Sequence, residues 1–374
     1  VLYRIDGLVS KTVPFLRSGF LFYSFIAECF LGDQHPQKLA FRKSGKRKLK
    51  YLYLFFVSMI YRLLKIWTSL AMRWFIPSLF VRNATNVPQG KPTLLVANHP
   101  DSFLDAIIIA IACKGPIHFL ARGDVFTKTW QRTLLRLLNM YPVYRIREGR
   151  AHVHLNRTTF RHSNDVLASG GTLLIFIEGI CLQTHELQPF KKGAARIAWE
   201  AASLPNSSVI PVGVAYSSFT RMGKAATVVF GDPIYPNQIF EGEQEQPNLA
   251  RFNQYIFPKL QACIQIPAAE ISYQSSTAQL NLYRLAAFLH FPFYFPIRNK
   301  IASLTRGTVF YDSILYATLL FLYPVYLFLI GYIIFCLTQS CWIAIGAFLG
   351  LPALAYYVLS RRLMLKSTGQ AVSS

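Results

Sequence analysis

Acidic side chains are scarce in this chain, with 17 Asp and Glu against 39 Lys and Arg and a formal net charge of +22. So large an excess points to an anionic partner, for which nucleic acid and an anionic membrane surface are the common candidates. The basic residues flank apolar runs and no nucleic-acid-binding motif is present, which argues against the first and for the second. Cysteine is sparse as well: the six thiols, at 29, 113, 181, 263, 336 and 341, have no metal-ligand spacing and read as reduced, buried groups. His152-x-His154 has no third ligand at a suitable spacing, so both read as surface residues and no metal is expected. There is no dinucleotide or Walker motif, and Gly170-Gly171 and Gly231-Asp232-Pro233 are turns. Charge of either sign is missing altogether from Ser313 to Ser360.

What is present is apolar. Hydrophobic residues make up 53% of the chain and aromatic ones 15%, above ordinary soluble values. The uncharged stretch is long enough for two spans of about 20 residues each, with Thr338-Gln339-Ser340 as the turn of an antiparallel hairpin. Lys300 and Arg306 precede it, and Arg361, Arg362 and Lys366 follow it. Positive flanks at both outer ends place both on the cytoplasmic side. At the other end of the chain, residues 1–50 form an unassigned segment that closes on seven basic residues between Lys38 and Lys50. Residues 51–81 follow, apolar at first and then interspersed with Arg62, Lys65 and Arg73, a pattern that suits helices lying in a membrane interface beside anionic headgroups.

Between these ends the sequence alternates short β-like runs with helical ones. Thr93–Ala97, Ile117–Ala121, Pro142–Ile146, Thr172–Ile177, Val209–Ala215 and Thr227–Phe230 read as strands. Phe103–Cys113, Lys128–Met140, His154–Ser169 and Gly193–Ser203 read as helices. Such alternation argues for a layered α/β fold with a largely parallel, buried sheet over residues 82–235. Residues 236–312 turn polar and read as a linker with interfacial helices, 313–360 as the transmembrane hairpin and 361–374 as a basic tail.

Chemistry is offered where the first of these strands stops. Thr93–Ala97 gives way to Asn98-His99-Pro100, with Asp101, Ser102 and Asp105 just beyond. Histidine is the side chain whose ordinary pKa lies nearest neutrality, and a carboxylate one turn into the following helix can reach back to orient the ring. Arg145 and Glu178 fall at two further strand ends, where open α/β sheets place their sites.

Four stretches, in order, resemble the blocks of the PlsC-like glycerolipid acyltransferases, the lysophosphatidic acid and glycerol-3-phosphate acyltransferases. His99 and Asp105 resemble the His-Asp signature, with five residues between them where most members have four. Tyr141-Pro142-Val143-Tyr144-Arg145-Ile146-Arg147 resembles the second block, Phe176-Ile177-Glu178-Gly179 the third and Val209-Ile210-Pro211-Val212 the fourth. The third block departs from the pattern at Ile177, Ile180 and Cys181, where the family has proline, a small hydroxyl residue and arginine.

The resemblance implies a membrane-bound O-acyltransferase of phospholipid biosynthesis, and the positive flanks of the apolar stretch are what put its catalytic domain on the cytoplasmic face. Acyl-CoA or acyl carrier protein would supply the thioester, and no cofactor is implied. His99 would act as base and Asp105 would fix its tautomer. Arg145 would hold the acceptor's phosphate, helped by Arg147, Lys191 and Lys192, while Glu178 and Gly179 would shape the acceptor loop. The acceptor stays open between glycerol-3-phosphate, lysophosphatidic acid and a lyso-aminolipid, and a non-catalytic lipid-binding protein of the same fold is the competing reading.

Overall fold

Runs without polar alternation become the centre of a seven-stranded sheet. The computed structural model describes residues 43–144, 156–265 and 277–365. Its strands are β1 (Ser78–Arg82), β2 (Thr93–Ala97), β3 (Ile117–Arg122), β4 (Met140–Val143), β5 (Thr172–Phe176), β6 (Ser208–Tyr216) and β7 (Ala225–Phe230). They lie in the order β1-β7-β6-β2-β5-β3-β4. Only the β6–β7 pairing is antiparallel. Every residue of β2, β6 and β7 is buried, as expected for strands covered on both faces. Alternate side chains feed two cores: Leu95, Ala97, Ile210 and Val212 on one side, and Leu94, Val96, Leu173 and Val209 on the other. Pro211 is tolerated in a central strand because its carbonyl, and so its missing N–H, faces the β7 side, where Gly231 N–H donates to it.

The helices are α1 (Lys43–Phe75), α2 (Phe103–Ala112), α3 (Thr129–Leu137), α4 (Asn156–Ala168), α5 (Lys192–Ala201), α6 (Glu245–Cys263), α7 (Thr277–Leu304), α8 (Tyr311–Thr338) and α9 (Cys341–Leu365). Helix α2 and the C-terminal end of α1 cover one face of the sheet, and α5 and α6 cover the other.

Two expectations are corrected here. Residues 51–81 form one helix and a strand rather than a pair of helices: α1 is continuous to Phe75, and Ser78–Arg82 pairs with β7 as an edge strand of the sheet. The short run S-L-F-V-R merged into the apolar pattern before it, so its change of period went unseen. Residues 236–312 are not only a linker, because α6 buries Leu249, Phe252, Ile256 and Leu260, one apolar stripe at helical spacing, in the second core. Strand β4 begins two residues earlier than expected, and the expected Arg145 and Ile146 lie outside the described residues.

Helices α8 and α9 form an antiparallel hairpin that turns at Gln339, which takes a left-handed backbone conformation. Tyr311–Thr338 and Cys341–Ser360 are long and apolar enough to cross a membrane, and only 6% and 11% of their most apolar windows are buried. A buried helix of a soluble core would show the opposite. The expected burial of all the cysteines fails at this hairpin, where Cys336 and Cys341 are exposed. The first turns of α8 behave differently from the rest: Asp312, Ser313, Leu315 and Tyr316 are buried in the α/β domain.

Candidate active site

At the C-terminal end of β2 the backbone cannot simply run into α2, because the loop holds one residue in a strained conformation. Ser102, with φ 53°, sits just before α2 in the left-handed region that non-glycine residues rarely adopt. That turn brings His99 over the first turn of α2, and His99 Nδ1 lies 2.9 Å from Asp105 Oδ2. A carboxylate only accepts, so Nδ1 carries the proton of that bond and, in the neutral ring, Nε2 is the unprotonated nitrogen. Asp105 is fully buried and takes two further donors, the Asp101 N–H at 2.8 Å on Oδ2 and the Tyr216 O–H at 2.7 Å on Oδ1. The imidazole stacks on Phe176 with ring centroids 3.8 Å apart. Its orientation is thus held from one edge and one face.

Neighbouring strand ends complete the frame. Asn98 continues the β2–β6 ladder with its side chain, donating to Val214 O at 2.8 Å and accepting from Val214 N–H at 2.7 Å. Glu178, just past β5, is buried and accepts from the backbone N–H of His99 at 3.3 Å and of Gln188 at 3.2 Å. Burial raises its carboxyl above the usual range, opposed by those two N–H donors. Gly179 has φ +60°, and a Cβ there would come within 3.0 Å of the Lys191 side chain. The following loop wraps the histidine: Leu182 N–H donates to His99 O and Ser102 N–H to Cys181 Sγ. Burial, reinforced by Asp105, pushes the Cys181 thiol up to about 12, so it stays a neutral thiol at physiological pH.

One cavity of about 2010 Å³ opens from His99. Its apolar wall is built by Ala106, Ile107, Ala110 and Ile111, one face of α2, together with Leu64 of α1. The same cavity is lined at its polar side by Lys191 and by Arg157 and Arg161, which are four residues apart on α4. Of the residues expected at the site, His99, Glu178, Gly179 and Lys191 converge here, with Asp105 behind the imidazole. Lys192 does not join them, since it bonds Gln246 of α6 at 3.0 Å and is exposed. Arg145 and Arg147, like His152 and His154, lie outside the described residues. Tyr216, Asn98, Arg157 and Arg161 were not anticipated. A tyrosine closing a strand carries no local signal, and the two arginines showed only as ordinary helix charge.

Residues 78–215 match the acyltransferase family model. Over that stretch the chain carries an acyltransferase domain. The histidine loop, β5 with the glutamate just past it and all of the proline-bearing strand β6 but Tyr216 fall inside the matched region of this acyltransferase domain. A relative described as a probable 1-acyl-sn-glycerol-3-phosphate acyltransferase of Mycoplasma pneumoniae is 26% identical over 178 residues, which cover 42% of this chain and 63% of that protein. The match therefore spans less than two thirds of the relative's length. The crystal structure of the 1-acyl-sn-glycerophosphate (LPA) acyltransferase PlsC from Thermotoga maritima superposes with a TM-score of 0.41 at 18% identity, over 68% of this chain and 94% of that one.

Proposed function

We propose that this acyltransferase moves a fatty acyl group from a thioester, carried by acyl-CoA or acyl carrier protein, to the hydroxyl of glycerol-3-phosphate or lysophosphatidic acid. The observation that carries the reading is the oriented His99–Asp105 pair opening onto a large cavity with an apolar wall. His99 Nε2 takes the acceptor's hydroxyl proton as its oxygen attacks the thioester carbonyl. The tetrahedral intermediate collapses with cleavage of the C–S bond, and the departing thiolate takes the proton back from the imidazolium. Asp105 steadies that imidazolium between the two steps, so the substrate supplies the nucleophile and the enzyme none.

The acyl chain lies along the face of α2 formed by Ala106, Ile107, Ala110 and Ile111, which offers no polar side chain to desolvate. A phosphorylated acceptor is supported by Arg157, Arg161 and Lys191, which line the cavity and have no acidic partner among the described residues. Arg145 and Arg147 would add to this charge from the second block. A second acceptor class is favoured by one feature. Cys181 stands where an arginine would be expected and is a neutral thiol bonded to Ser102, which suits a lyso-aminolipid better than a doubly charged phosphate.

Helices α8 and α9 would anchor the domain in the bilayer with the catalytic side on the cytoplasmic face, and the basic residues from Lys38 to Lys50 would hold α1 against anionic lipid. The test is a turnover assay of the full chain in vesicles with labelled acyl-CoA and acyl carrier protein, against glycerol-3-phosphate, lysophosphatidic acid and a lyso-aminolipid. Esterification of a phosphorylated acceptor, lost in His99→Ala, is the expected result. Turnover by His99→Ala equal to the native chain would end the base assignment.

A further inference from the structure

Lys224 precedes β7 and is only 1% exposed, yet both charged groups it meets come from distant parts of the chain. Its ammonium donates to Asp101 Oδ2 at 2.7 Å and to Asp312 Oδ2, and both carboxylates are fully buried. Asp101 belongs to the histidine loop and Asp312 to the first turn of α8. Next to Asp312, Ser313 Oγ donates to Asp101 O and accepts from Leu104 N–H, each at 3.2 Å. Two successive residues of the first apolar helix therefore grip the loop between His99 and Asp105.

That grip reaches the proposed base by two routes. The Asp101 N–H bonds Asp105 Oδ2, the same oxygen that holds His99 Nδ1. The Lys224 ammonium also sits 4.3 Å from the centroid of the Tyr216 ring, whose hydroxyl bonds the other oxygen of Asp105. Purely as packing the arrangement is costly. Asp101 Oδ1 and Asp312 Oδ1 are buried with no partner among the described residues, and apolar side chains would fill the same space without that penalty. Asp101 lies just before the positive-φ Ser102 and turns its side chain inward to meet this cluster.

We propose that Lys224, Asp312 and Ser313 are positioning residues for acyl transfer, acting through Asp101 on the His99–Asp105 pair, and that they make turnover depend on the seating of α8. The proposal rests on the acyl-transfer reading above. Two carboxylates around one ammonium are neutral only while one proton is kept between them. Burial pushes the Asp101 carboxyl up to about 8, with Asp312 and Asp105 adding to the rise and Lys224 opposing it. As pH climbs through that value the cluster gains an uncompensated buried charge and its hold on the loop weakens. The other polar or titratable groups facing it are Tyr216 and Ser313, with the Cys181 thiol near Asp101 and Tyr311 near Asp312.

The experiment uses the full chain in vesicles, with kcat and KM followed across pH for Lys224→Met, Asp312→Asn, Asp312→Leu and Ser313→Ala. Lys224→Met and Asp312→Leu are expected to lower kcat at least tenfold with both KM values within about twofold, and Ser313→Ala to lower it about fivefold. Asp312→Asn keeps a neutral acceptor for Lys224 and is expected to stay within threefold of the native kcat while losing the native fall in rate above pH 8. Carbethoxylation of His99 by diethyl pyrocarbonate, read by peptide mass spectrometry, gives a measure independent of turnover, and Lys224→Met should change its rate at least threefold. A native chain that esterifies no acceptor overturns the acyl-transfer reading and this proposal with it. A native chain that is active, beside a Lys224→Met chain with native kcat and native His99 labelling, overturns the positioning role alone. Asp312→Asn falling as far as Asp312→Leu overturns it too.

Discussion

Tyr216 donates its phenolic hydroxyl to Asp105 Oδ1 at 2.7 Å across 111 positions of sequence, from the end of β6 to the first turn of α2. Both side chains are fully buried, so no water replaces the bond if it is removed. Tyr216→Phe keeps the ring against Lys224 but leaves a carboxylate oxygen unpaired in the core. Such a loss costs about 1–3 kcal/mol. If part of it falls on the orientation of His99, kcat drops about tenfold, since about 1.4 kcal/mol of barrier is a factor of ten. Steady-state kinetics together with a thermal melt separate the two: a lowered melting temperature with unchanged kcat would confine Tyr216 to a structural role.

Asp105→Asn should be nearly as damaging as His99→Ala. An amide at this position offers a donor as well as an acceptor, and its N–H facing Nδ1 selects the tautomer in which Nε2 holds the proton and is no longer a base. General-base contributions run to about 10²–10⁴-fold, which sets the expected fall in kcat for both variants. Rates measured with saturating thioester decide it. Equal activity of Asp105→Asn and the native chain would require another route to the hydroxyl proton.

Arg157→Ala and Arg161→Ala should act on the acceptor and spare the thioester. A charge-assisted contact to phosphate is worth about 1.5–3 kcal/mol, so KM for lysophosphatidic acid should rise roughly tenfold or more. Lys192→Ala serves as the internal control, because its side chain is committed to Gln246 on the outer face and should change KM less than twofold. With a lyso-aminolipid acceptor the two arginine variants should behave like the native chain, a pattern that would identify the acceptor class. A tenfold effect of Lys192→Ala would place the phosphate on the other side of α5.

How much of this was legible in the residues depended on whether the signal was local. Strands β2, β5 and β6 stand out as uninterrupted apolar runs, and the His99–Asp105 pair is set by its own spacing in the chain. Strand β1 was hidden because only its pairing with β7 distinguishes it from the apolar helix before it. Helix α6 was visible, but its membership of the core was not, since a polar surface loop precedes it. The cluster of Lys224, Asp101 and Asp312 joins three segments, up to 212 positions apart at the Ser313–Asp101 bond, and no window of sequence contains it. Asp312 stands just outside the uncharged stretch, and in the fold it is the residue that ties that stretch to the site.

The topology of the hairpin can be probed without shortening the chain. Removing residues from 313 onward would gut the domain, because Leu315 and Tyr316 are in its core and Tyr316 donates its hydroxyl to Thr68 O at 2.8 Å. The native cysteines offer a gentler probe. The outer end of α8 returns to the catalytic domain through Asp312 on Lys224, and the middle of α9 meets α1 at Pro352, whose carbonyl accepts from the Trp74 indole N–H at 2.8 Å. Between them the turn at Gln339 stands at the far end, flanked by the exposed Cys336 and Cys341. If α8 and α9 cross the bilayer with the basic flanks inside, Cys341 should react with a membrane-impermeant maleimide added to intact cells. Cys113 and Cys263 are buried in the domain and serve as unreactive references. A Ser374→Cys tag on a Cys336→Ser/Cys341→Ser background should react only after permeabilisation. The reverse pattern would put the catalytic domain on the opposite face, and labelling of both sites only after permeabilisation would mean that the hairpin never crosses.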